Sequence, residues 1–545
     1  MFFFSNINIL FIISIIDIIT ALNILLSEKN IIKWIMIIAA IPAVIYISGK
    51  KTEIILKSYI FKDHVLSVID TPYGNLVVTK TGNQVNFFEN GSLLFSTGNL
   101  TECEESVHYA LVQHPNPKRV LLISCGIKGL VPEILKYKPD RIDYVEINPY
   151  LIKLGMQYVP DFQNSRLNLI IKDARFFIKR TKEKYDAVII DLPSPCTASL
   201  NRYYTLEFFR ELFQKLNTGA VVSLSLASTS DYVSSDSGRL SSVIYRTLSS
   251  VFRNVIIIPG GKNYFLASNT NLDHNIGSMI DKRGIENVYV NQYYINDIRL
   301  KERSDFILSR LFANNDVNSD FHPVSYFQQI KIWLNQFSVK YLIPALIFFA
   351  LLVALFFFIH PVNLGILTVG FAASTFEFVL IIAFQIIYGY VYAAVGIIIS
   401  LFMLGLASGS YFFVRRKDNS YRTLYNIQLV VLFFSIFLAL IMAMLSSISE
   451  HLVLICSAFA ILSFFSGFIT GSAFSTASSV RELAVTRIAS WLYSVDLLGS
   501  AFGVLLVSAF LFPLYGIVNV CILAGFLNIL SGLIVFIKGK NILSL

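Results

Sequence analysis

Long apolar runs at both ends of the chain rule out an ordinary soluble fold. Ile7 to Leu26 and Ile31 to Ser48 are each long enough to cross a bilayer as a helix. Further runs follow at Tyr341 to Ile359, Leu364 to Ile387, Val391 to Val414, Tyr425 to Leu445, Leu452 to Phe474, Trp491 to Leu514 and Val518 to Ile537. About twenty apolar residues cover the ~30 Å hydrocarbon core, where a helix satisfies its own backbone polar groups. These runs account for a chain that is 55% hydrophobic and only 14% charged, with a mean hydropathy of +0.64. The first run lacks a basic leading segment and a small-residue cleavage site, so it reads as a retained anchor. The expectation is two transmembrane helices in residues 1–49 and about seven in 338–538, in a multi-pass protein of the cell membrane.

Between these runs the composition is that of a soluble protein. HVLSVIDT, GNLVVTKT and QVNFFENG alternate and are punctuated by Gly and Asn, which predicts a small antiparallel β domain with a lead-in helix over residues 52–112. HPNPKRVLLISCGIKG then reads as a fully apolar strand, Val120 to Ile123, running into a turn that holds Gly126 and Gly129. A helical pattern follows, then a second strand, Ile142 to Val145, ending in Glu146. Strand, glycine turn, helix, strand and acid form the layout of a nucleotide-binding β-α-β unit. Such turn glycines allow close backbone approach, and a strand-end acid can accept from two ribose hydroxyls. NLIIKDARFF, YDAVIIDLPSP and GAVVSLSLAS add strands between helical patterns, predicting a mostly parallel sheet over residues 113–330.

The soluble part resembles spermidine synthase, the polyamine aminopropyltransferase family, through HPNPKRVLLI, DYVEINP, DARFF, YDAVIIDLPSP and LNRYYTLEFFRELFQKL. PGGKNYFLAS and YGYVYAAVGIIISLFMLGLASGS are similar to a membrane-integrated branch carrying a spermidine synthase-like domain. The resemblance implies a multi-pass α-helical membrane protein with an inserted α/β Rossmann-like (methyltransferase-like) domain preceded by a small β domain. It implies an S-adenosyl-type nucleoside, decarboxylated S-adenosylmethionine or a relative, as donor. By this resemblance Gly126, Gly129, Glu146, Asp173 and Ala174 bind the nucleoside, with Asp191 and Ser194 at the catalytic positions. The amine half departs from the pattern. The Asp of the family's GGGDGG turn falls on Ile127, with Lys128 following, and the deprotonating acid falls on Ser194. Of the family's Tyr-Gln-Glu run only the last acid survives, in Glu102-Cys103-Glu104 before the first helix.

Simpler readings stand beside these. Glu146 is also what a solvated strand-end acid looks like, and Asp173 also fits a helix N-cap. Cys125 reads as a small buried hydrophobe before a redox thiol. Glu104 and His108, one helical turn apart, read as a helix-face pair, and the five cysteines show neither metal-ligand nor disulfide spacing. The net charge of +9 lies largely in short loops beside apolar runs, so it argues for membrane orientation and against nucleic acid.

Asp17, Glu377 and Asp496 fall inside apolar runs, while Lys and Arg keep to the ends. A charge at the bilayer centre costs about 2.5–3.5 kcal/mol, so these acids mark a proton or cation path, a cationic ligand or hydrogen bonds between helices. The small residues of GFAASTFEF and DLLGSAFGVLL predict close helix packing around Glu377 and Asp496. Arg415, Arg416, Lys417 and Arg422 make the most basic short loop, which favours the cytoplasmic side for it and the far side for the soluble domain. Lys50, Lys51 and Lys57, and the cytosolic origin of such donors, argue the other way. Three functions remain open on these residues: aminopropyl transfer to an amine, non-catalytic sensing of a nucleoside or polyamine, and transporter-like handling of a cation.

Overall fold

The computed structural model describes residues 50–159, 164–227, 235–312, 316–336, 360–389, 392–415, 420–445, 452–480 and 485–542, together with Ile13, Asp17 and Thr20. A helix, Lys50–Phe61, leads into a four-stranded antiparallel meander: β1 (His64–Thr71), β2 (Gly74–Thr81), β3 (Gln84–Glu89) and β4 (Ser92–Ser96). Its alternation buries Leu76, Val78, Phe87 and Phe95 on one face, against the neighbouring α/β unit.

That unit is built on seven strands: β5 (Arg119–Ile123), β6 (Arg141–Glu146), β7 (Leu167–Ile171), β8 (Tyr185–Ile190), β9 (Leu216–Ala227), β10 (Asn254–Pro259) and β11 (Lys262–Ser268). Their order is β10-β11-β9-β8-β5-β6-β7, with β5 to β9 parallel and β10 and β11 antiparallel to their neighbours. The central strands are buried on both faces, which is why Val120–Ile123 of β5 and Ala187–Ile190 of β8 read as unbroken apolar runs. The order of connection reverses between β5 and β8, and the region beyond the carboxyl ends of two such strands, here called the crevice, is where open α/β sheets place their ligands. The fold is therefore a Rossmann-like α/β domain, preceded by a small β domain and joined to long apolar helices.

Among the described residues five helices are long and apolar enough to cross a membrane. The last, Ser490–Ile537, covers two of the expected spans and is broken at Gly516, where φ is 76° and ψ 170°. The expected run at Tyr341 to Ile359 and most of the two N-terminal runs lie outside the described residues. Asp17 is helical and exposed. Glycines let these helices touch: Gly405 and Gly409 lie on the backbone of Phe464 and Phe468, and Gly467 and Gly471 on that of Phe402 and Leu406. The same device joins Pro361–Tyr388 to Val485–Leu506, where Gly499 meets Leu367 and Gly370 meets Asp496.

The soluble unit rests on one end of this bundle. Arg202 Nη1 donates to Gln385 O at 3.4 Å, His322 Nε2 contacts Leu514 O at 3.0 Å, and Ile517 N donates to Phe321 O at 3.0 Å. Both anchoring points, near Gly389 and Gly516, interrupt helices. From the first, the 23-residue helix Tyr392–Val414 carries the chain about 35 Å along the bundle. Alternating helix direction then sets Arg415, Arg422, Arg487, Lys538 and Lys540 at the end remote from the soluble unit.

Candidate functional site

The crevice is shaped first by the turn after β5. Ser124 and Cys125 adopt φ of 63° and 50°, a short 3-10 turn spans Gly126–Lys128, and Gly129 closes it with φ of 125°. Left-handed backbone at two consecutive non-glycine residues stores strain, which is held here by packing on both sides. A Cβ on Gly126 would come within 2.9 Å of Leu122 and 3.0 Å of Tyr144, so the turn lies flat against β5 and β6.

Glu146 stands at the end of β6, 4% exposed. Its Oε1 accepts from the N–H groups of Ile147 (2.9 Å) and Asn148 (3.3 Å), and its Oε2 from the hydroxyls of Ser124 and Tyr144, both at 3.2 Å. Burial pushes this carboxyl upward against those donors. The meander leans over it: Asn148 Nδ2 reaches Thr71 Oγ1 at 3.4 Å, and burial followed by the charge of Glu146 pushes Glu89 up to about 7. A solvated strand-end acid would show neither feature.

Asp173 caps the helix Ala174–Arg180, accepting from Phe176 N at 2.9 Å. Arg202 also grips both of its oxygens at 3.0 Å, and Tyr203 donates to Oδ2 at 2.8 Å. Gly389 roofs this pair with φ of 87°, and a Cβ there would lie 2.6 Å from Asp173 Oδ2 and 2.7 Å from Arg202 Nη1. The capping reading of Asp173 is thus realised. Its two oxygens are already engaged by an arginine held from the bundle side.

The acidic end of the crevice differs most from expectation. Ile127 does not face it: the side chain is 1% exposed and fills the space above Gly155, in the core with Leu130 and Leu151. Lys128, one residue on, turns inward instead. Its ammonium lies 2.6 Å from Asp191 Oδ2 and 2.8 Å from Glu102 Oε1, and Lys262 Nζ reaches the same Glu102 oxygen at 2.6 Å. Lys128 is 7% and Asp191 4% exposed. Burial opposes the charge on Lys128, but Asp191 and Glu102 outweigh it and push its pKa well up. Burial likewise opposes the charge of Glu102, yet Lys128 and Lys262 hold it down at about 2. Two ammoniums face two carboxylates, so this cluster is neutral.

Ser194 lies in the loop after β8, which Tyr204 fastens by donating to Leu192 O (3.2 Å) and Pro193 O (2.9 Å). Its hydroxyl accepts from Ala227 N at 3.5 Å, a contact that supplies no base. Glu102-Cys103-Glu104 sits inside the helix Leu100–Leu111, not ahead of it. Glu104 and His108 do not pair with each other. Glu104 accepts from the N–H groups of Val288, Tyr289 and Val290, while His108 contacts Glu133 at 2.8 Å and Tyr137 at 2.9 Å. Burial, reinforced by Asp191, pushes the Cys125 thiol up to about 12, the behaviour of a buried small group. In the bundle, Asp496 lies against Gly370, about two helical turns from Glu377, and the two acids sit on facing helices.

The residues that the sequence reading missed are Lys128, Glu102, Lys262 and Arg202. Lys128 stood in plain sight beside the lost acid, and Arg202 within the LNRYY run, but their partners lie at least 26 residues away along the chain.

Residues 101–276 match the spermine/spermidine synthase domain. The polyamine aminopropyltransferase of Sulfurisphaera tokodaii is 30% identical over 216 residues, covering 36% of this chain and 68% of that protein. That of Leptospira interrogans is 30% identical over 174 residues, or 30% of this chain, and there the chain spans only 35% of the relative's length. A crystal structure of spermidine synthase in complex with the transition-state analogue AdoDATO superposes with a TM-score of 0.40 at 20% identity, covering 45% of this chain and 88% of the other.

Proposed function

Because this chain belongs to the spermine/spermidine synthase family, we propose that its soluble domain binds an S-adenosyl-type nucleoside, decarboxylated S-adenosylmethionine or methylthioadenosine, and that its amine side is degenerate. The observation that carries the reading is Glu146, buried at a strand end beside the β5 turn and the point where strand order reverses. There a ribose can exchange its hydroxyls for those of Ser124 and Tyr144 on a carboxylate already oriented by two backbone N–H groups. Ala174 begins the helix at the adenine position, and Gly126 and Gly129 keep the turn low enough for a ligand to lie across it.

Aminopropyl transfer requires a neutral amine nitrogen to attack the carbon beside the sulfonium. The carbon–sulfur bond then breaks, methylthioadenosine leaves, and the amine proton passes to a base. Ser194 supplies no carboxylate for that proton, and a hydroxyl needs an activating partner. Loss of a general base alone costs roughly 10² to 10⁴ in rate. The neutral cluster around Asp191 moreover offers no net attraction to a dication, which favours a sensing role over turnover. We place the bundle in the membrane with the basic helix ends in the cytoplasm, so the soluble unit lies on the other side.

Calorimetry of the detergent-purified full chain with methylthioadenosine tests the nucleoside reading. Binding is expected, and Glu146→Ala should weaken it by about 1.5–3 kcal/mol, the range for hydrogen bonds to charged groups. Absence of binding at millimolar nucleoside would remove the proposal.

A further inference from the structure

A lysine ammonium and the terminal ammonium of a diamine are the same chemical group. Carboxylates placed to hold one are placed to hold the other. Lys128 reaches Asp191 and Glu102 on a flexible four-carbon stem, at the length of charge-assisted hydrogen bonds. Its backbone is fixed by the turn: Lys128 O accepts from Cys103 Sγ at 3.5 Å, and the left-handed Gly129 follows. The charge is buried, and a buried ion pair is a poor source of stability compared with apolar packing. The inward turn of Lys128 therefore calls for a role beyond holding the fold.

We propose that the Lys128 ammonium is a built-in occupant of the cation subsite formed by Asp191 and Glu102, and that it excludes diamines from this crevice. The inference rests on the reading that this end of the crevice is the amine side, and it names the residue that closes it. Lys262 completes the neutralisation by pairing with Glu102 from the β11 side. With Lys128 in place, an incoming ammonium meets two carboxylates already matched by two ammoniums. With Lys128 absent, Asp191 is left as a buried carboxylate without its counter-ion, a strong incentive to take up a cation.

The experiment titrates 1,4-diaminobutane into the full chain in detergent, as wild type, Lys128→Gly and Lys128→Gly/Asp191→Asn, with methylthioadenosine titrated separately into each. Diamine binding in Lys128→Gly is expected to be at least about tenfold tighter than in wild type, and to be lost again in the double variant. The melting temperature of Lys128→Gly should also rise with diamine but not with equal ionic strength of sodium chloride. If Lys128→Gly does not fold, Lys128→Gln, which keeps a hydrogen-bond donor but no charge, takes its place. Wild type binding the diamine as tightly as the folded variant would overturn the proposal. So would a folded variant that binds none. Methylthioadenosine binding is read independently, so failure of the nucleoside reading leaves a separate signature: no nucleoside binding in any variant, whatever the diamine does.

Discussion

Ile127→Asp separates the family pattern from the geometry seen here. Matched to the pattern, this substitution restores an amine-binding acid. In the structure it places a carboxylate in the core between Gly155, Leu130 and Leu151. Losing the buried branch costs about 2–3 kcal/mol, and a buried carboxyl without donors adds roughly 1–3 kcal/mol. The sum, about 4 kcal/mol, corresponds to a fall in melting temperature of roughly 8–16 °C for a domain of this size. Ile127→Val, which removes one methyl group, should cost about 1 kcal/mol. Thermal unfolding of the full chain in detergent, followed by tryptophan fluorescence or differential scanning fluorimetry, measures both. If Ile127→Asp unfolds within about 2 °C of wild type and gains diamine affinity, the side chain faces the crevice and Lys128 does not fill the subsite at Asp191.

Gly389→Ala should lower stability by about 1–2 kcal/mol from its left-handed backbone alone and loosen the Asp173–Arg202 pair beneath it, read as a lower melting temperature of the full chain in detergent. Glu89, pushed up to about 7 from an ordinary 4.5, holds a proton when folded that the unfolded chain releases. Its contribution is therefore full below about pH 4.5 and lost as pH rises through 7, so melting profiles of Glu89→Gln should be flatter over that window. Ser194→Asp alone should leave spermidine formation from putrescine and decarboxylated S-adenosylmethionine undetectable by mass spectrometry, and should raise it only when Lys128 is also replaced. Reporter fusions after Val414 and near His114 should report opposite sides of the membrane; the same side for both would refute the orientation proposed from the basic helix ends.

What the sequence determined by itself was whatever is periodic or local. Apolar runs of bilayer length set the bundle helices, because their signal is continuous and needs no partner. The β-α-β layout located Glu146 and the β5 turn, because strand, turn and acid are neighbours in the chain and the fold puts them at one crevice. The small residues near Glu377 and Asp496 likewise foretold helices in backbone contact. Tertiary structure alone decided which way side chains turn and what they meet. Ile127 and Lys128 are adjacent, yet the left-handed backbone at Ser124 and Cys125 sends the first into the core and the second to Asp191, 63 residues on. Alignment to a family pattern cannot report such a rotation, since it records residue order and not φ. Nor could it show that Arg202 would claim Asp173, or that Gly389 would close over both, because charge pairs form between elements brought together only when the sheet and the bundle have assembled.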